Sequence, residues 1–178
     1  MHYVKWYNPL GILEPTSDAS EWGCGAVFQN EYISLPWSDE IKTITGLNTD
    51  SRNMPLCEAI AVAISISTWH AKFANRQVLS CSDCLPVVHG INKGRSRSTS
   101  SPWLNAVYRF INRICHKHNI FLRAEHIRGT DNTSADLVSR NLISQLHDQA
   151  GTTLAPAHVL PVILQPSVNT HVISFPPA

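Results

Sequence analysis

Pro15-Thr16-Ser17-Asp18-Ala19-Ser20-Glu21-Trp22-Gly23-Cys24-Gly25-Ala26-Val27-Phe28 sets one acid ahead of small residues, an aromatic, a Gly-x-Gly and an apolar run. That order predicts a strand ending at Asp18, a tight turn and an antiparallel return strand. Downstream, Glu31 to Trp37 alternates as a third strand after a Gln29-Asn30 turn, completing a meander. Upstream, Ile12 and Leu13 open the first strand, and Pro15 marks a bend or an exposed edge. Three further carboxylates stand in comparable settings: Glu58 in Leu56-Cys57-Glu58-Ala59, Asp83 after Gln77 to Ser82, and Asp136 in Asn132-Thr133-Ser134-Ala135-Asp136.

Ser38 to Asn53 is polar and reads as a loop. Pro55 suits a first helical turn, and Leu56, Ala59, Ile60, Ala63 and Ile64 follow at helical spacing, predicting a helix to about Phe73 with Glu58 in its first turn. A β-rich run over Gln77 to Ser82 ends at Asp83, and a short helix is expected over Leu85 to Ile91. Asn92 to Ser101 carries Lys93, Arg95 and Arg97 among Gly and Ser, the composition of a flexible basic loop. Ser101-Pro102 then begins a helix with Leu104, Val107, Tyr108, Ile111, Ile114 and Cys115 on one face and Arg109, Asn112, Arg113 and Lys117 on the other. Trp103 is assigned to the core. A strand over Asn119 to Ile127, a turn over Gly129 to Asn132 and a last helix from Asn132 or Thr133 through Leu146 complete the pattern. The elements predict a mixed α/β layer, in which sites form at strand ends where the connection direction changes.

Length and composition fit this picture. The chain has 178 residues, 43% of them hydrophobic, enough for one domain with a core. Residues 1–10, with three aromatics and Pro9, read as a connector from an upstream region, and residues 148–178, with repeated prolines, as a disordered tail whose Val159, Leu160, Val162, Ile163 and Leu164 are free to dock a partner. No apolar run approaches the roughly 20 residues of a membrane span. Five cysteines at irregular spacing argue against a disulfide framework, and Cys81-x-x-Cys84 has no matching second pair for zinc. A soluble, intracellular protein, cytoplasmic or nuclear, is expected.

Net charge is only +1, but it is unevenly spread: residues 1–75 hold 4 Lys/Arg and 8 Asp/Glu, residues 76–140 hold 10 and 4. A basic stretch beside a cluster of acids suits a metal-dependent enzyme acting on phosphodiesters. Four converging carboxylates would repel one another unless cations neutralise them. Oxygen ligands favour Mg²⁺ or Mn²⁺, and two such ions about 4 Å apart can assist phosphodiester hydrolysis. His116 and His118, two apart at a helix end, face different directions and do not form a shared ligand site.

The motifs Thr16-Ser17-Asp18-Ala19-Ser20 with Gly23-Cys24-Gly25-Ala26, Leu56-Cys57-Glu58-Ala59, Ser82-Asp83 and Asn132-Thr133-Ser134-Ala135-Asp136-Leu137-Val138-Ser139-Arg140 together resemble the type 1 ribonuclease H domains of retroelement reverse transcriptases, DIRS-like retrotransposons above all. The resemblance covers residues 11–147. It implies a ribonuclease H-like five-stranded mixed sheet, an antiparallel three-strand meander plus two parallel strands, flanked by helices. It also implies a two-metal endoribonuclease that hydrolyses the RNA strand of RNA/DNA hybrids to 3′-hydroxyl and 5′-phosphate ends, with a polymerase domain upstream in the same polyprotein. Asp18, Glu58, Asp83 and Asp136 would be the catalytic metal ligands for two Mg²⁺ or Mn²⁺ ions, and Asn132 would cap the last helix and aim Asp136. Lys93, Arg95, Arg97 and Arg128 would bind nucleic-acid phosphates. His126 lies on the preceding strand and is given no catalytic role; Cys84 stands where relatives often carry Asn; the offset of Asn53 from Glu58 does not suit a contact to RNA hydroxyls. A DNA nuclease or transposase of the same fold and a non-catalytic nucleic-acid-binding module are the alternatives, and Ser20, where exonucleases of this fold have a second acid, speaks against those.

Overall fold

A meander and two parallel strands build the sheet that the rest of the chain covers. In the computed structural model, which describes residues 11–49, 52–96, 102–160, 162–164 and 173–174, Thr16–Ala19 (β1), Gly23–Phe28 (β2) and Glu31–Pro36 (β3) pair antiparallel, with Asp18 opposite Gly25 and Gly25 opposite Ser34. Gln77–Ser82 (β4) lies parallel to β1, and Phe121–His126 (β5) parallel to β4. These five strands are the expected set. A sixth, Ala155–Pro156 (β6), joins β3 in parallel, so the order is β5-β4-β1-β2-β3-β6.

The first strand starts later than its apolar residues suggested. Pro15 has no N–H to donate, so the regular ladder begins at Thr16, and Leu13 makes only an isolated bridge to Val78. Asp18 therefore lies inside β1, one residue from its end. At the far edge, the Asn92 amide donates to the Ala124 carbonyl at 2.8 Å and accepts from its N–H at 2.9 Å, occupying the backbone groups of β5 that another strand would use.

Met54–Thr68 (α2) is enclosed: every residue from Leu56 to Ser67 is buried, so the apolar stripe read from the sequence is only part of its buried surface. Ala and Ser on the remaining sides let neighbours approach from all directions. The helix does not run on to Phe73; it stops at Trp69, and His70–Phe73 (α3) forms a separate turn. The stretch expected as a loop contains Asp39–Thr45 (α1), capped by Ser38 and ended by Gly46 at φ 69°. Only Ile41 and Thr45 of that helix are buried, so its caps, not a stripe, define it. Leu85–Lys93 (α4) and Pro102–Lys117 (α5) follow the sequence reading closely, with Arg109, Asn112, Arg113 and Lys117 exposed on α5.

The predicted last helix is two: Thr133–Ser139 (α6) and Ile143–Ala150 (α7), broken where Asn141 takes φ 60°. Val138 and Leu146 from this pair form a second core with Leu154, Val27 and Tyr32, apart from the main core of α2, α5 and the other sheet face. Gly25 makes the packing possible. A Cβ there would sit 2.3 Å from the Ser139 nitrogen and 2.8 Å from the Ala135 carbonyl oxygen, so α6 lies directly on the β2 backbone.

Residues 154–160 and Val162, expected within a disordered tail, lie against the domain. Ala155 and Ala157 donate to the Asn30 and Tyr32 carbonyls, both at 2.8 Å, so Pro156 falls between the residues that donate and costs the edge pairing nothing. Val159 and Val162 are buried in the main core, and the Leu160 N–H reaches Thr68 Oγ1 at 3.4 Å. Ile163–Leu164 (β7) and Ile173–Ser174 (β8) pair antiparallel beyond it. The connector at 1–10 lies outside the described residues.

Candidate metal centre

Asp18, Glu58 and Asp83 converge where β1, the start of α2 and the end of β4 meet. One carboxylate oxygen from each lies within 4.8 Å of the others. Asp18 is 6% exposed and Glu58 7%. The Ala19 N–H donates to Glu58. Glu58 Oε2 is buried with no hydrogen-bond partner. Asp83 sits just past β4, where the Cys84 N–H turns back onto Ser82 Oγ at 3.1 Å. Gly129 crosses close by: a Cβ there would lie 3.2 Å from Asp83 Oδ2.

The electrostatics follow from crowding. Burial pushes the Glu58 carboxyl up to about 9, helped by the charges of Asp18 and Asp83 and opposed by the Ala19 N–H. Asp18 rises to about 6: burial lifts it, the Ser139 hydroxyl pulls it down, Asp83 and Asp136 lift it again and Arg140 lowers it. Three acids held this tightly, with one buried oxygen unpartnered, fit a hard cation that replaces their protons. All-oxygen donors suit Mg²⁺ or Mn²⁺ rather than a thiophilic metal.

Asp136 stands apart from this trio. It lies in the first turn of α6, 41% exposed, with its Oδ1 2.8 Å from Arg140 Nε. It is near enough to raise Asp18 but belongs to the rim. Asn132 occupies the cap position of α6 without making a side-chain cap bond; its Nδ2 donates instead to the Ser17 carbonyl at 3.0 Å. That bond ties the start of α6 to β1, and the buried Oδ1 is left without a partner.

Ser139, quoted in the Asn132–Arg140 motif without a role of its own, reaches the candidate centre. Its hydroxyl donates to Asp18 Oδ2 at 2.6 Å, while Ser20 Oγ donates to the Ser139 carbonyl at 2.6 Å. Its sequence signal is its place in the Asn-x-x-x-Asp-x-x-Ser-Arg pattern of residues 132–140, three residues after Asp136. His126 is placed beside the centre as well: it pairs with Ser82 across β4 and β5, and its Nε2 donates to the Asp83 carbonyl at 3.1 Å. Asn53 is the cap of α2, accepting from the Leu56 N–H, which explains its offset from Glu58.

The basic residues lie on different segments of the chain. Arg128 is exposed at the start of the Gly129–Asp131 turn. Lys93 and Arg95 line a cleft with Pro86, His89, Gly90 and Ser96. The described part of this loop is held, not free: Asn105 bonds the Ser96 N–H at 2.8 Å and its carbonyl at 3.3 Å, and Asn112 bonds the Gly94 carbonyl at 3.3 Å. Arg97 lies outside the described residues. Among the described residues no helix is long and apolar enough to cross a membrane.

The fold is that of ribonuclease H1. The chain superposes on ribonuclease H1 from the halophilic archaeon Halobacterium salinarum with a TM-score of 0.55 and 11% identity, covering 76% of this chain and 99% of that one. A ribonuclease H1 isolated from compost by a metagenomic approach gives a TM-score of 0.50 and 15% identity, covering 79% of this chain and 97% of the other. No family model and no curated protein matches the sequence.

Proposed function

We propose that this chain is a metal-dependent endoribonuclease that hydrolyses the RNA strand of RNA/DNA hybrids. The observation that carries the reading is the convergence of the buried Asp18 and Glu58 with the half-buried Asp83 within a ribonuclease H1 fold. In this reading those three acids would hold Mg²⁺ or Mn²⁺, and Asp136, paired with Arg140 at the rim, would supply the fourth carboxylate for a second ion. A divalent ion there neutralises the converging acids and the phosphodiester and lowers the pKa of water.

The chain's own residues prepare this centre. Ser139 fixes one oxygen of Asp18. Asn132 anchors α6 and so holds Asp136 in place. Lys93, Arg95, Arg97 and Arg128 draw the phosphate backbone towards the acids, a role that makes binding fall steeply with salt.

Residues 132–140, with their Asn, Asp, Ser and Arg spacing, support assignment to the ribonuclease H part of a retroelement reverse transcriptase of DIRS-like type. Residues 1–10 then serve as the connection to a polymerase domain that shares the grip on the hybrid. The test is cleavage of an end-labelled RNA/DNA hybrid with Mg²⁺ or Mn²⁺, beside duplex DNA, duplex RNA and Asp18→Asn. The expected result is cleavage of the hybrid's RNA strand alone, abolished in the variant. Metal-dependent cutting of duplex DNA, or hybrid binding without cleavage even with the polymerase domain supplied, would overturn it.

A further inference from the structure

The two histidines at the end of α5 do not pair with each other. His118 packs instead against His70, the first residue of α3, with ring centroids 4.2 Å apart and planes at 50°. The His70 ring is oriented by its Nδ1, 2.7 Å from the Ser67 carbonyl. A carbonyl only accepts, so Nδ1 carries the proton and Nε2 of the neutral ring keeps its lone pair. Histidines that bind metals show this same arrangement, one nitrogen donating to a carbonyl and the other turned to the ion.

The segments that follow the two rings are bonded to each other. The Asn75 N–H donates to the His118 carbonyl at 3.1 Å, and Asn119 Nδ2 donates to Asn75 Oδ1 at 3.0 Å. Asn75 and Asn119 both take positive φ, 61° and 52°, Asn75 in the connection from α3 to β4 and Asn119 directly after His118. Trp69 and Phe73, on either side of His70 in sequence, are buried and anchor α3. Both rings are partly exposed, which leaves room for water to complete a coordination shell. Burial, His70 and Lys117 all depress the pKa of His118, which favours the neutral ring. The nearby Lys72 is matched by Glu31 at 2.7 Å.

We propose that His70 and His118 form a two-imidazole site for a borderline-soft divalent ion, Zn²⁺, Cu²⁺ or Ni²⁺, distinct from the carboxylate centre. Imidazole donors suit these ions and not Mg²⁺. Asn75 and Asn119 precede β4 and β5, whereas Asp83 follows β4, so the two sites lie at opposite ends of that strand, about 20 Å apart at roughly 3.3 Å per residue. A bound ion staples the end of α2 and α3 to the end of α5.

The test is a titration of the full chain carrying Asp18→Asn and Glu58→Gln with Cu²⁺ or Ni²⁺ alone, followed by calorimetry, thermal melting and, for Cu²⁺, electron paramagnetic resonance. The expected result is one ion per chain, nitrogen hyperfine structure from two imidazoles and a higher melting temperature. Affinity should fall by at least about tenfold on adding His118→Gln or His70→Asn, and Mg²⁺ should have no such effect. In the otherwise native chain, His118→Gln should leave Mg²⁺-dependent hybrid cleavage unchanged, so this site and the nuclease reading can fail separately. Unaltered Cu²⁺ affinity in the folded His118→Gln protein, or a spectrum without two nitrogen ligands, overturns the proposal.

Discussion

One hydroxyl links the two halves of the candidate centre. Ser139 donates to Asp18 Oδ2 at 2.6 Å across 121 residues of sequence and opposes the burial that raises the Asp18 pKa. Ser139→Ala should leave the charged form of Asp18 less stable by about 1–3 kcal/mol, weaken metal binding and shift the acidic limb of the pH–rate profile upward. Calorimetric titration with Mn²⁺ and a pH–rate series would check this. Glu58 makes a second prediction. In the metal-free fold its carboxyl sits at about 9 against an ordinary 4.5, and that of Asp18 at about 6 against 3.8. Both values are raised, so the folded chain binds more protons than the unfolded one across these intervals. Their contribution to stability is full below about pH 4 and is lost as pH rises through 6 and then 9. Melts in chelator should show that decline, Glu58→Gln should flatten its alkaline part, and Mg²⁺ should restore the wild-type protein most at high pH. Asp18 was legible as a candidate from its own motif, and Glu58 and Asp83 from weaker local settings that gain weight from their order and spacing. The Ser139 contact was not, since a single serine has no periodicity and its partner is fixed only by how α6 lands on the sheet.

At the level of elements, that landing depends on Gly25. Gly25→Ala would put a methyl group 2.3 Å from the Ser139 nitrogen, a backbone atom with no rotamer to change. The expected loss is about 1–3 kcal/mol of stability, with a larger fall in hybrid cleavage because α6 carries Asp136 and Ser139 together. Denaturant unfolding beside the cleavage assay separates the two effects. The meander, β4, α4, α5 and β5 were readable from turn residues and apolar spacing. Three element boundaries were not. The cap of α1 was outweighed by its polar composition, the break at Trp69 falls within a continuous apolar pattern, and the break at Asn141 rests on one positive φ. Caps and left-handed residues are local events that a hydrophobic count averages away.

For the molecule as a whole, residues 155–157 cover the sheet edge at β3, and Val159 and Val162 are buried against the main core. A chain ending at Ala150 should therefore be less stable by about 1.5–3 kcal/mol for each of those valines, and more prone to associate through the freed β3 edge. A chain ending at Gln165 keeps these contacts and should approach the full-length protein. Thermal melting and light scattering on the two truncations give the comparison. Proline density concealed this segment: it counts against regular structure, yet edge pairing here needs only the donors on either side of Pro156.

The order of these parts along the chain has a consequence in time. Asp18, Glu58 and Asp83 all emerge from the ribosome before residue 84, whereas Asp136, Ser139 and Arg140 follow some fifty residues later, and the segment that closes the β3 edge later still. Domains are made from the N-terminus onward. A nascent chain therefore carries the three crowded acids well before the hydroxyl that moderates them, and its centre cannot be finished until translation has passed Ser139.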